Sequence, residues 1–305
     1  MRLATRGSEL ALWQARHVAG RIRAVRPDEP IELVVLDTVG DRRQDRPVWE
    51  LGGQGVFVKE VQAAVLDGRA DAAVHSAKDL PSRTAPGLVL ASIPVRADPR
   101  DVLVGSTLEG LGPGAQIATG SVRRRAQLAW LRPDLTFTSL RGNIASRLSK
   151  IPVGGAIVMA AAALERLELR PQVAETLEPS VMLPQVAQGA IAVECRGGDD
   201  DTIALLGAID DPVAAACVRA ERSYLARLGG GCDLPVGAHA NPVVPGSDSD
   251  LRLEAVLASL DGRVVLRASV SGSFDSAETL GVRLAEELLV RGGRTLLVDA
   301  GMAVE

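Results

Sequence analysis

Over its first two thirds this chain alternates short β-rich runs with amphipathic helical ones, and that rhythm restricts the fold more tightly than any other property of the sequence. Strands are predicted at 31–37 (IELVVLD), 71–76 (DAAVHS), 88–95 (LVLASIPV), 116–119 (QIAT), 135–140 (LTFTSL) and 155–160 (GAIVMA). Helices are predicted at 8–25, 58–67, 122–131, 143–150, 202–208, 212–228 and 276–291. Strands that alternate with helices are covered on both faces, so the pattern calls for parallel βαβ units. After about residue 212 the rhythm changes to a helix, a Gly-rich loop, strands at 251–257 and 263–270 joined through Asp261-Gly262, and a closing helix, the pattern of a small α+β domain.

Two stretches read as joints. One is 94–101 (PVRADPRD), with two prolines and mixed charge; the other is 181–190 (VMLPQVAQGA), where Pro184 and Gly189 interrupt an apolar run. The chain of 305 residues, 47% of them hydrophobic, is long enough for two or three compact units. No stretch runs 18 apolar residues without charge, and MRLATRGSELALW has no apolar core ahead of a small-residue cleavage site, so a soluble, cytoplasmic protein is expected.

Cys195, Cys217 and Cys232 are odd in number, widely spaced and free of any CxxC pair, which argues against a disulfide framework and against zinc. His17, His75 and His239 show no i, i+4 pairing, and no metal is expected. Net charge is −4, yet residues 115–151 carry Arg123, Arg124, Arg125, Arg132, Arg141, Arg147 and Lys150 against the single acid Asp134. Such an island points to an anionic ligand. An aromatic content of 2% is too poor for the stacking platforms of single-strand binders, so a small polycarboxylate or phosphate fits better than nucleic acid.

Two segments, LATRGSELALWQAR at 3–16 and IATGSVRRRAQLAWLR at 117–132, both read as strand, small polar turn and helix. In each, backbone N–H groups and a Ser hydroxyl at a helix start can receive an anion, and two such sites facing each other would form a cleft; chance similarity between common βα units is the alternative. Arg123-Arg124-Arg125 cannot all face one ligand, because successive helical residues are about 100° apart. Arg141 and Arg147 flank the Gly142-Asn143 turn, and the planar guanidinium fork suits a carboxylate.

His75-Ser76-Ala77-Lys78-Asp79 leaves a predicted strand at the end where open α/β sheets place ligands. Asp79 there can hydrogen-bond a ring N–H and stabilise a cation forming on that ring, or it is a turn residue with Lys78 solvated. Cys232, after Gly229-Gly230-Gly231, lies on a loop, where it is a reactive thiol or part of a simple turn; Cys195 and Cys217 read as buried and inert. Residues 41–50 and Gly52-Gly53-Gln54-Gly55 lack the order of a dinucleotide site and read as a hinge or lid.

The segments ATRGSELALWQA, GGQGVFVKEVQAAVLDGRADAAVHSAKDLPS, DPRDVLVG, ATGSVRRRAQL, SLRGNIASRLSK, LPQVAQGAIAVECR and GGGCDLPVG, in this order across residues 1–240, are similar to the successive motifs of the hydroxymethylbilane synthase (porphobilinogen deaminase) family. The resemblance implies an α/β fold of two periplasmic-binding-protein-like βα domains plus a small C-terminal α+β domain, divided as 1–95 with 187–208, 98–186, and 212–305. It implies a transferase that joins four porphobilinogen molecules on a dipyrromethane cofactor held as a thioether by Cys232, with Asp79 as the catalytic carboxylate.

Cofactor and substrate carboxylates would fall to Arg6, Ser8, Ser76, Lys78, Thr119, Ser121, Arg123, Arg124, Arg141 and Arg147, with Gln188 beside the cofactor and Lys59 and Arg166 toward substrate; Arg125 is left over. The implied partners are porphobilinogen and, transiently, uroporphyrinogen-III synthase, with the chain a monomer that binds neither nucleic acid nor membrane. Gln54 replaces an expected Lys, Ala187 an expected Gly, and 151–156 is shortened. The rival readings are a periplasmic-binding-like small-anion module without catalysis and an unrelated thiol enzyme.

Overall fold

The computed structural model describes residues 1–38, 58–230, 234–246 and 249–301. The expected lid at 41–55 and Cys232 both lie outside the described residues. The chain divides into two compact units, 1–97 with 190–215, and 98–189 with 216–305.

The elements run β1 (Arg2–Arg6), α1 (Glu9–Val25), β2 (Glu32–Leu36), α2 (Lys59–Leu66), β3 (Ala72–Ser76), a 3-10 turn (Ala77–Asp79), β4 (Leu88–Ser92), β5 (Asp101–Val104), β6 (Gln116–Ala118), α3 (Val122–Leu131), β7 (Thr136–Thr138), α4 (Ile144–Leu148), β8 (Ala156–Ala160), α5 (Ala161–Arg166), β9 (Ala174–Leu177), β10 (Ile191–Arg196), α6 (Asp200–Gly207), α7 (Pro212–Arg227), β11 (Val236–Pro242), β12 (Asp250–Ala258), β13 (Val265–Ser273), α8 (Ala277–Leu288) and α9 (Arg294–Asp299).

In the first unit the sheet order is β2-β1-β3-β10-β4, and in the second it is β7-β6-β8-β5-β9. The first three strands of each sheet are mutually parallel, as the alternating rhythm predicts. The fourth is not. β10 is antiparallel to both β3 and β4, and β5 is antiparallel to both β8 and β9. The predicted parallel βαβ units account for the first three strands of each sheet, and the fourth pairs with neighbours distant in the chain: β10 with β3 and β4, β5 with β8 and β9.

Residues alternate across each strand, so the two faces feed separate cores. In β3, Ala72 and Val74 pack with Leu3, Val18 and Ile22 under α1, while Ala73 packs with Val61 and Val65 of α2. In β8, Ala156 and Val158 join Ile117 and Leu128 under α3, while Ile157 and Met159 join Leu140 and Leu164 on the other side. Burial on both faces is why β8 (AIVMA) reads as an unbroken apolar run.

The second unit also holds an antiparallel meander, β11-β12-β13, with β12 and β13 in continuous register from Asp250↔Ser273 to Ala258↔Val265. In α8, Ala277, Leu280, Gly281, Leu284, Ala285 and Leu288 make one buried stripe at helical spacing. Gly281 lets α8 approach α7, because a Cβ there would stand 2.3 Å from the Ala220 carbonyl oxygen.

Candidate functional site

In the first unit, β1 ends at Arg6 and the next turn delivers Ser8, which caps α1 by accepting from Ala11 N–H at 3.3 Å. The hydroxyl of Thr5 donates to the Ala11 carbonyl, closing the same turn. β3 ends beside it at Ser76, and the 3-10 turn that follows carries Lys78 and Asp79, tied down by Ala77 N–H donating to the Ala190 carbonyl. Asp79 Oδ2 lies 4.0 Å from Arg6 Nη1, and the two side chains keep 30% and 21% exposure, enough for either to meet a ligand. The sequence-predicted Arg6, Ser8, Ser76, Lys78 and Asp79 therefore sit on adjacent strand ends of one sheet. Lys59 is exposed, at the first position of α2.

Gln14 belongs with this group and sequence reading missed it. It is buried on the stripe of α1 formed by Ala11, Ala15, Val18 and Ile22, and its Nε2 donates to Ser76 Oγ at 2.8 Å. A lone amide inside an apolar helical stripe was the available signal. On the opposite face of β3, His75 lies 3.2 Å from Glu194 of β10, and Gln62 of α2 donates to the same carboxylate oxygen at 2.8 Å. All three are buried.

The second unit repeats the construction with different chemistry. Thr119 Oγ1 accepts from Ser121 N–H at 3.2 Å, and Ser121 caps α3 by accepting from Arg124 N–H at 3.3 Å. The first turn of α3 holds no acid and two arginines that turn inward. Both meet Asp101, the first residue of β5, which is completely buried at 0% exposure. Arg124 donates to Asp101 Oδ1 from Nε at 3.0 Å and Nη2 at 2.7 Å, and its Nη1 donates to the Val158 carbonyl at 2.8 Å. Arg123 uses Nη1 alone, toward Asp101 Oδ2 and the Leu183 carbonyl, both at 2.7 Å. Its Nε and Nη2 are buried without a partner. Gln188 completes the cluster, donating to Asp101 Oδ1 at 2.9 Å and to the Pro99 carbonyl at 2.7 Å.

Burial pushes the Asp101 carboxyl up, but the charges of Arg123 and Arg124 pull it further down, so it stays well below the usual carboxylate range. Burial lowers the Arg123 guanidinium, and Asp101 offsets that effect in part.

The arginine-rich island thus divides. Arg124, expected to receive a ligand, has all three guanidinium nitrogens engaged inside the protein. Arg132 pairs with Asp134 at 2.8 Å and donates to the Leu108 and Leu111 carbonyls, and the exposed Arg125 lies 5.9 Å over the Phe137 ring. Arg141 and Arg147 are half-buried around the turn at Gly142, whose φ of 117° suits glycine. Arg147 Nε donates to the Gly142 carbonyl at 2.8 Å, and Asn143 caps α4. Arg166 is buried at the end of α5, donates to the Gly189 carbonyl at 2.7 Å, and is lowered to about 10 by burial. Ala187, before Gln188, holds a φ of 59°, and its N–H donates to buried Glu221 at 2.6 Å.

Among the described residues no helix is long and apolar enough to cross a membrane. Comparison with known proteins gives two family matches: residues 1–204 match the model "Porphobilinogen deaminase, dipyromethane cofactor binding domain", and residues 215–290 match "Porphobilinogen deaminase, C-terminal domain". A porphobilinogen deaminase of Roseiflexus castenholzii is 48% identical over 300 residues, covering 97% of each chain. One from Syntrophotalea carbinolica is 44% identical over 302 residues, covering 97% of this chain and 95% of that protein. Among solved structures, a methionine-bound nutrient binding protein from Burkholderia cenocepacia is similar over 70% of this chain and 92% of its own, at 14% identity and a TM-score of 0.42.

Proposed function

The chain belongs to the porphobilinogen deaminase family, and from that premise we propose how its own residues serve the family's reaction. The activity is that of a transferase, hydroxymethylbilane synthase: four porphobilinogen molecules lose ammonia and are joined head to tail on a dipyrromethane primer, and linear hydroxymethylbilane is released by hydrolysis in porphyrin and haem biosynthesis. The donor set fits such a primer, because Arg123 carries two buried N–H donors without a partner and the group brings carboxylates. When bound, the dipyrromethane supplies a nucleophilic pyrrole carbon. Cys232 is the residue that would hold it covalently.

The remaining work falls to side chains. Asp79 accepts the pyrrole N–H of porphobilinogen and opposes the positive charge that develops on the ring as ammonia departs. Arg6, 4.0 Å away, sets the direction of that carboxylate. Ser8, Ser76, Lys78, Thr119, Ser121, Arg141 and Arg147 receive acetate and propionate groups, Lys59 and Arg166 act toward incoming substrate, and Arg123 grips a carboxylate of the primer with Arg124 and Gln188 behind it. Concentrated cation explains how a chain of net charge −4 holds a polyanion. We place the protein in the cytoplasm as a monomer, passing its product to uroporphyrinogen-III synthase through at most a transient contact.

The observation that carries this assignment of residues is Asp79, a half-exposed carboxylate on a tied-down turn at a strand end, beside an arginine. Intact-mass measurement tests the covalent part. Wild-type protein is expected to carry a dipyrromethane increment that Cys232→Ser lacks, while consuming porphobilinogen and releasing ammonia. An active wild-type chain with unmodified Cys232 overturns the anchor.

A further inference from the structure

Three residues of the second unit that the family reading assigns to cofactor binding, Arg123, Arg124 and Gln188, converge on one that it does not name. Asp101 receives a hydrogen bond from each of them within 3.0 Å. Two guanidiniums share this one carboxylate, and among the described residues no other acid pairs with either. The buried cluster is one positive charge in excess.

The geometry of Arg123 says where that excess points. A guanidinium offers its Nε and one Nη along a single edge, the edge that binds a carboxylate bidentately. Asp101 Oδ2 and the Leu183 carbonyl hold Nη1, so the nitrogens left are Nε and Nη2, the two that form that edge. At 3% exposure the side chain has no room to turn and satisfy them elsewhere. Arg124 braces the same carboxylate through its own edge, and Gln188 fixes Asp101 Oδ1 from a third side.

We propose that Asp101 is a positioning residue: it holds Arg123 by Nη1 and so presents the Nε–Nη2 edge, already desolvated, to a carboxylate of the bound dipyrromethane. The inference rests on the reading of the site given above and adds a residue to it. Asp101 touches no ligand and acts through Arg123.

The test compares cofactor occupancy by intact mass in the folded fraction, isolated by size exclusion, of wild type, Asp101→Asn and Glu194→Gln. Glu194 is an equally buried carboxylate of the first unit and serves as the control for general loss of stability. Asp101→Asn is expected to lower occupancy at least tenfold among folded chains, with Glu194→Gln within twofold of wild type. Wild-type occupancy in folded Asp101→Asn, or an equal fall in Glu194→Gln, overturns the proposal. If Asp101→Asn does not fold, Asp101→Glu decides: it keeps the charge but displaces it by a methylene, so occupancy is expected to fall severalfold, and full occupancy overturns the proposal. A wild-type chain without the covalent increment would instead sink the functional reading.

Discussion

The two βα units share one plan and use it for opposite charges. Each has three parallel strands, an antiparallel fourth and an edge strand, in the same order, and each starts a helix with a serine cap, Ser8 or Ser121, just after the second strand of its sheet. Each buries a carboxylate on the antiparallel strand, Glu194 on β10 and Asp101 on β5. In the first unit that carboxylate meets a histidine and an amide, the first turn of α1 holds Glu9, and the turn after the third strand offers Asp79. In the second unit the carboxylate meets two arginines, the first turn of α3 holds no acid, and the segment after the third strand is Ala161-Ala162-Ala163. One scaffold thus carries a partly exposed carboxylate, Asp79, on the turn after its third strand, and the other carries buried arginines at the start of its capped helix. The fold supplied the position twice, and the side chains assigned the chemistry.

Removing the carboxylate that only the first unit carries should have the largest consequence. Asp79→Ala is expected to cut turnover by about 10³-fold or more while leaving the thermal midpoint near wild type, since the side chain is half-exposed. Steady-state porphobilinogen consumption and a melt check both halves, and near-normal turnover would return Asp79 to the role of a turn residue.

The buried carboxylates should separate next. Asp101→Asn leaves two buried guanidiniums without their counter-charge, a loss of about 3–5 kcal/mol in denaturant unfolding. Glu194→Gln is expected to lose less, about 1–2 kcal/mol, because the partners it meets include a histidine and a neutral amide in place of two guanidiniums. Equal losses would break the comparison.

The same difference has a pH signature. The Asp101 carboxyl is lowered in the folded state, so its stabilisation is complete above the unfolded value of about 4 and is lost only as pH falls below that. Stability of Asp101→Asn should therefore fall less steeply than wild type in that acid limb, and an unchanged slope would contradict the assignment.

The smallest effect tests what the units have in common. Ser8→Ala and Ser121→Ala should each cost about 1 kcal/mol, because each deletes one helix cap. A large disparity between them would show that one serine does more than cap.

Legibility followed local pattern. The helix predicted at 122–131 coincides with α3, and the strand predicted at 155–160 differs from β8 by one residue, because each lies in a stretch whose periodicity is long or whose ends are marked by Gly, Ser or Pro. β5, β9, β10 and β11 were not predicted as strands. β5 (DVLV) is four residues long and starts at the last residue of the 94–101 segment that reads as a joint, and β11 (VGAHANP) contains Gly and Pro, so neither carries a strand signal of its own. β5 and β10 are paired by strands distant in sequence, whereas β11 is held by the next strand, β12.

What the sequence determined by itself was the βα rhythm, the C-terminal change of rhythm, the ordered motifs that identify the family, and the arginine-rich island. Those are properties of neighbouring residues, and periodicity and spacing carry them. The tertiary structure alone decided which of those arginines face inward. Nothing near Asp101 in the chain reveals that Arg123, Arg124 and Gln188 meet it, because the bonds span 22, 23 and 87 residues. A buried charge is placed by whatever partner the fold brings to it, and that partner is chosen by packing rather than by sequence proximity.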